Sequence, residues 1–421
     1  MSPPPILEKR NSRRLSSTTM RTVNNSTSSS SSMEERKKSL SLVYPVEAPP
    51  FKISDIRNAI PSHCFKKSYF YSLLYASRDA AGILFLGYLA TFINTLSFPP
   101  LVKALLWCVY WYTCGCVATG WWMIGHECGH GAFSDSKVLN YIVGFIAHTS
   151  LFVPFSAWAV THARHHKNTN SLDDDEPFVP ADRKSYVARR ALGSLLESGA
   201  FSAISLTLML VGGWPAYLLV DLGGPSKHSK KKGPRDHFQP WSVLFNSFEE
   251  RIFVTIGTLG IFAWIYFLYQ VSNTYGIQSL VAYYVIPLLI VNAHLVAITF
   301  LQHTHLGVPH FSSQQFSWLR GALCTIDRTW GPIRDHLFHH ISDTHVVHHL
   351  FFDMPFYNAQ EATFAVKKIL GEYYLEDHSN IEWSLWKTFN ECKFSEKDPD
   401  GEDGIEWMRG VPEAKKGLKG L

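Results

Sequence analysis

Three histidine clusters define the chemistry open to this chain: HECGH from His126 to His130, HARHH from His162 to His166, and HVVHH from His345 to His349. Residues four apart share a helix face, so His126 and His130 can chelate one ion. Each HxxHH run places two imidazoles on that face and a third beside it, pointing toward a second ion. His126, His130, His162, His165, His166, His345, His348 and His349 thus supply eight neutral nitrogen donors, about what two transition-metal ions need. All-histidine ligation suits iron, which imidazole binds in either redox state. Metal-bound imidazoles usually give their second N–H to a carboxylate or carbonyl. Asp174, Asp175 and Glu176 after the second cluster, and Asp343 before the third, are candidates to receive it.

HECGH also fits the zinc-protease pattern HExxH, with Glu127 as general base on a zinc-bound water. That reading needs one further ligand and leaves the six histidines of the two HxxHH runs unexplained. Cys128 lies inside the first cluster without a CxxC partner, and a thiolate suits zinc or copper better than oxygen-activating iron, so it is expected to pack as a small hydrophobe.

These donors must be positioned by apolar elements. The 421 residues are 46% hydrophobic and 14% aromatic, gathered in long runs, and the net charge of +4 gives no support to nucleic-acid binding. Seven cysteines, three of them in one apolar run, argue against a disulfide framework. Residues 1–42 are rich in Ser, Asn, Lys and Arg and too poor in apolar surface to fold. Arg13, Arg14 and Ser16 in that tail match a basic-directed kinase pattern, of a kind that arises by chance in serine-rich segments. A cytosolic or interfacial lead-in at 43–79, a membrane domain at 80–375 and a cytosolic C-terminal tail at 376–421 complete the expected layout.

Four stretches are long enough for a bilayer of roughly 30 Å: 80–98, 103–125, 252–271 and 280–301. Because the clusters share one site, the chain must cross an even number of times between one cluster and the next. The segment at 138–155, with His148 and Pro154, is therefore expected not to span. The segment at 201–221, interrupted by Gly212, Gly213 and Pro215, is expected to lie in the interface. The following loop carries Lys227, Lys230, Lys231, Lys232 and Arg235, as cytoplasmic loops do.

From about Asp55 to Tyr374 further motifs accompany the clusters: IPSHCFKKS from Ile60, AFSD from Ala132, LVAITFLQHTH ending at His305, WLRGAL from Trp318 and DTHVVHHLF from Asp343. In these the chain resembles the membrane fatty-acyl desaturases, within them the Δ12/ω3 acyl-lipid branch of plants and fungi. The resemblance implies an all-α membrane protein: four transmembrane helices plus interfacial helices, with a cytosolic histidine-box di-iron cap. It implies two iron ions, O2 as co-substrate, electrons from cytochrome b5 and its NADH reductase, and a phospholipid-linked oleoyl substrate desaturated at the Δ12 position. It also implies an endoplasmic-reticulum membrane protein with both termini cytosolic. A ninth ligand is implied in LQHTH, at His303 or His305, and the position shared with plant ω3 members is His303. His294, His310, His339 and His340 are expected to be hydrogen-bonded packing residues, although relatives also keep a histidine at the position of His339.

Trp121, Trp122 and Met123 are candidates to line the acyl channel. No HPGG haem motif occurs, so the electron donor is a separate protein. Plant Δ12 members commonly have Ala before and His after the first cluster; this chain has Gly125 and Gly131, and a Gly before the cluster is met in relatives that hydroxylate, epoxidise or conjugate. The alternatives within the family are an ω3 (Δ15) desaturase and a hydroxylase or conjugase. Outside it they are a histidine-rich metal transporter and a membrane zinc hydrolase.

Overall fold

The computed structural model describes residues 42–177, 179–191, 199–399 and 401–410. The expected N-terminal tail through residue 41, including Arg13, Arg14 and Ser16, lies outside the described residues, as do residues 411–421.

A short helix, α1 (Ile53–Ala59), precedes the first long one, α2 (Tyr69–Ala90). Ser68 starts α2 by accepting from the Tyr71 N–H at 3.4 Å, and the helix stops at Ala90 in a series of turns. The expected span at 80–98 is therefore displaced toward the N-terminus. It takes Arg78 and Asp79 into the helix, and Asp79 is buried there. Helix α3 (Pro100–His130) opens on a proline at its first turn, where the missing N–H costs nothing, and carries the first cluster in its last. Gly131 closes it at φ +72°, a left-handed conformation in which histidine would be strained. That accounts for one departure from the plant pattern.

Helix α4 (Lys137–Thr149) has 13 residues and is about 20 Å long, too short to span, as the sequence implies. Pro154 then initiates α5 (Phe155–Asn168), which bears the second cluster. After α6 (Arg183–Ala191) the chain forms α7 (Gly199–Val220), α8 (Phe248–Tyr275) and α9 (Ile286–His303). Helix α9 continues an α turn from Ile277 through a π-helical stretch at Val281–Val285, just before Pro287, whose missing N–H favours such a register change.

Among the described residues four helices are long and apolar enough to cross a membrane: Pro100–His130, Phe201–Val220, Phe248–Tyr275 and Ile277–His303. The expected interruption at 201–221 does not occur, because α7 accommodates Gly212, Gly213 and Pro215 without breaking. Four such helices match the expected number, with α7 among them by length and composition and α2, which covers much of the 80–98 run, outside the set. Leu84 and Phe85 on α2, Leu105 and Val109 on α3, Leu208 on α7, and Leu259 and Phe262 on α8 are exposed, as lipid-facing residues are.

The remaining elements build a cap over the helix ends: α10 (His345–Leu350), α11 (Ala359–Leu370), α12 (Ile381–Glu391) and strands β1 (Pro309–Phe311), β2 (Ile326–Arg328), β3 (Leu375–Asp377), β4 (Phe394–Lys397) and β5 (Ile405–Arg409). Strand β5 lies between β1 and β4 in one antiparallel sheet, and β2 pairs in parallel with β3. The segment expected as a C-terminal tail from 376 is thus folded into the cap as far as Arg409. Tyr44, Ile56, Phe311, Val346, Val347, Leu350, Ala362 and Val366 form the cap core, which fixes α10 from below. The seven cysteines are free, and Cys128 packs among Ile124, Phe133 and Phe155.

Candidate metal centre

The three clusters converge. His126, His130, His162, His166 and His348 offer donor atoms that all lie within 4.8 Å of one another, and His165, His303 and His349 form a second such group. The Nε2 atom of His345 is 3.1 Å from that of His303, which brings the second group to four. Helix geometry explains the division. In α5, His162 and His166 lie one turn apart and face the first group, whereas His165 turns to the second. In α10 the roles reverse: His345 and His349 share the second group while His348 reaches back to the first.

Within the first group the Nε2 atoms of His126 and His162 are 3.0 Å apart, those of His162 and His166 3.2 Å, and those of His126 and His130 3.3 Å. In the second, His165 and His303 approach Nε2 to Nε2 at 3.3 Å. Lone pairs aimed at one another in a buried site need a cation between them. Burial first, and the neighbouring imidazoles next, hold His162, His166, His345, His348 and His349 well below the ordinary imidazole range, so protons do not fill that need. Nε2 of His348 and Nε2 of His349 are buried without a hydrogen-bond partner. A donor set of neutral imidazoles with neither thiolate nor carboxylate fits two transition-metal ions.

The rings are held from behind. Asp175 places Oδ1 2.6 Å from His165 Nδ1, and its other oxygen accepts from the Asn170 N–H at 2.8 Å. Thr169 Oγ1 lies 3.1 Å from His349 Nδ1, and Glu127 Oε1 3.3 Å from His126 Nδ1. Of the carboxylates considered from sequence, only Asp175 takes such a place. Asp174 binds Lys227 at 2.6 Å, Asp343 binds His340 at 3.0 Å, and Glu176 faces His228. His305 points elsewhere, its Nδ1 accepting from the Gly307 N–H at 3.0 Å.

His339 is not among the donors; its Nε2 donates to buried Asp79 at 2.6 Å. His294 lies 3.0 Å from the Thr119 hydroxyl, and His310 is buried in β1. His148, absent from the sequence candidates, stacks on Trp122 at 5.0 Å and sits against Gly125, where an added Cβ would come within 2.2 Å of its ring. Only a residue without a side chain before the first cluster admits that histidine.

Beside His126 and His348 lies a cavity of about 20 Å³, lined also by Met123, Glu127, His339 and Phe356 and roomy enough for one water-sized molecule. Of the proposed channel residues, Met123 reaches this cavity. Trp122 packs in an aromatic layer with Trp158 and Trp214, and Trp121 donates to Ser150 Oγ at 3.0 Å.

Comparison with known proteins agrees with this architecture. The fatty acid desaturase profile matches residues 105–380, and a domain of unknown function matches residues 7–88. The chain is 42% identical to an omega-6 fatty acid desaturase, endoplasmic reticulum isozyme 1, of Glycine max, over 89% of this chain and 94% of that protein. It is 43% identical to a Δ12 fatty-acid desaturase of Arabidopsis thaliana (86% and 92% covered) and 41% identical to an oleoyl-12-hydroxylase of Ricinus communis (87% and 92%). The chain is an oxidoreductase and belongs to the fatty acid desaturase family.

Proposed function

We propose that this protein inserts a cis double bond at the Δ12 position of a phospholipid-linked oleoyl chain, using two iron ions held by His126, His130, His162, His166 and His348 on one side and His165, His303, His345 and His349 on the other. The observation that carries this reading is the convergence of nine buried imidazoles in groups of five and four at the ends of apolar helices. The iron pair supplies activation of dioxygen for removal of two hydrogens from adjacent methylenes. In the balanced reaction those two hydrogens, two electrons and two protons reduce O2 to two waters. The chain's own residues hold the imidazoles in one tautomer through Asp175, Thr169 and Glu127. Met123 and Phe356 keep the cavity wall beside the centre apolar.

Electrons come from cytochrome b5 and its NADH reductase. Lys230, Lys231 and Lys232 stand exposed on the loop that Lys227 fastens to Asp174, six residues beyond Asn168 at the end of α5. A basic surface there suits an acidic carrier, and that attraction weakens as salt rises. The same fastening supports this loop and the metal centre lying on one side of the membrane, which we read as the cytosolic side of the endoplasmic reticulum, with both termini there as well. Three long helices separate the second and third clusters, and an odd number of full crossings cannot bring both to one site. We read helix α7 as the one that stays on the cytosolic side, with α2, whose Leu84 and Phe85 are exposed, crossing together with α3, α8 and α9.

The product decides the reading. Expression in a host that makes only monounsaturated acids should yield 18:2. Formation of 18:3 only, from supplied 18:2, would assign an ω3 desaturase. A hydroxy acid would assign a hydroxylase, the alternative that Gly125 favours.

A further inference from the structure

A second cluster of metal-ligating side chains lies apart from the nine histidines. Glu176, Asp221 and His228 are each buried, and their donor atoms all lie within 4.8 Å of one another. They come from three places in the chain: the exit of the second cluster, the end of α7 and the basic loop. His228 Nδ1 is 2.9 Å from Asp221 Oδ2, and with the ring proton on Nε2 the Nδ1 lone pair and that oxygen are spaced as two ligands of one ion. Glu176 Oε2 lies 3.9 Å from the other ring nitrogen, too far for a hydrogen bond, and so remains free to complete the same ion's shell. Glu176 Oε2 and Asp221 Oδ1 are both buried without any hydrogen-bond partner.

Local charge points the same way. Arg164 lies 3.7 Å from Glu176 Oε1 but is also 3.3 Å from Glu250, so one guanidinium is divided between two carboxylates. Lys227 is engaged with Asp174. Against Arg164 stand Glu176, Asp221 and Glu250, so these carboxylates outnumber the nearby guanidinium by two. Protonating His228 would cancel one of the two, whereas a divalent cation cancels both.

We infer that Glu176, Asp221 and His228 form a third metal site, separate from the histidine centre, that binds one zinc ion. One imidazole and two carboxylates with an open fourth position match zinc, whereas calcium and magnesium take shells of six or more oxygens. The ion ties the loop after α7 to the exit of α5. Its position is one residue from Asp175, which holds His165, so it steadies the second group of imidazoles without contacting the reacting atoms.

The test is metal analysis of the full-length protein, purified in detergent with its iron centre filled and exposed to one equivalent of zinc. Wild type should retain about one zinc per chain, and the isosteric variants Glu176→Gln and Asp221→Asn should each lose it while keeping iron. The zinc-edge absorption spectrum of the unaltered protein gives a check that needs no variant, and it should show an oxygen-dominated shell with one imidazole. A wild type that retains no zinc, zinc that persists in both variants, or an imidazole-rich shell would each overturn the site. Because iron is counted separately, loss of this zinc site leaves the desaturase reading intact.

Discussion

Asp79 in α2 accepts from His339 Nε2 at 2.6 Å, a bond that joins positions 260 residues apart and fastens the first long helix to the segment leading into the third cluster. Both residues are buried, and His339 is held at φ +55°. A hydrogen bond to a charged group is worth about 1.5–3 kcal/mol. Asp79→Asn should therefore destabilise the purified protein by about that amount, read as a lower unfolding midpoint, with iron per chain unchanged. Loss of iron with no change in stability would instead give His339 a direct place at the metals.

His303 and His305 separate cleanly. His303 meets His165 and His345 through Nε2, whereas His305 is occupied by the Gly307 N–H. His303→Ala should lower bound iron and abolish turnover, and His305→Ala should keep measurable activity. The reverse pattern would move the ninth donor to His305.

The third cluster is anchored by a carboxylate that titrates in a useful range. Asp327 Oδ1 accepts from the Val346 N–H at 2.8 Å and Oδ2 from the Tyr374 hydroxyl at 2.5 Å, while burial pushes its carboxyl up to about 7. A folded value above the unfolded one of about 3.9 means that ionisation is harder in the fold. The associated stability is full below about pH 4 and is lost as pH rises toward 7. Asp327→Asn should flatten that part of the stability profile, measured as unfolding midpoint against pH. An unchanged slope would remove Asp327 from it.

Gly125 tests the packing around the first cluster. A Cβ there must displace His148, whose ring is wedged among Trp122, Phe155 and Trp158. Overpacking of this kind costs about 1–3 kcal/mol. Gly125→Ala should lower the unfolding midpoint, and pairing it with His148→Ala should restore most of the loss. Additive effects of the two changes would show that the contact is not what matters.

Much of the site was legible because HxxHH writes its geometry into local spacing: i, i+4 sharing of a face and a third ring turned aside hold in both α5 and α10. The partners of those rings were not legible in the same way. Asp175 was one of four candidate carboxylates, and spacing could not rank it above Asp174 or Asp343. Asp79 and His339, or Gly125 and His148, meet only through tertiary packing, although the unusual Gly before the first cluster was a signal that something presses close there. The displaced span has a similar cause. Hydropathy marked 80–98, but the Ser68 cap starts the helix earlier, and its buried Asp79 is tolerated because His339 and Arg78 bind it. Helix α7 persists through two glycines and a proline because it packs along α9, with Gly213 against Val296.

The central claim is that nine imidazoles, five and four, hold two irons. It is tested most directly by iron per chain in the purified protein, alongside single alanine variants of His126, His130, His162, His165, His166, His303, His345, His348 and His349. The account predicts two irons in wild type and fewer than two in every variant, with each protein still accumulating in membranes. Zinc in place of iron at the histidine centre, or full iron retained by two or more of the variants, would contradict it.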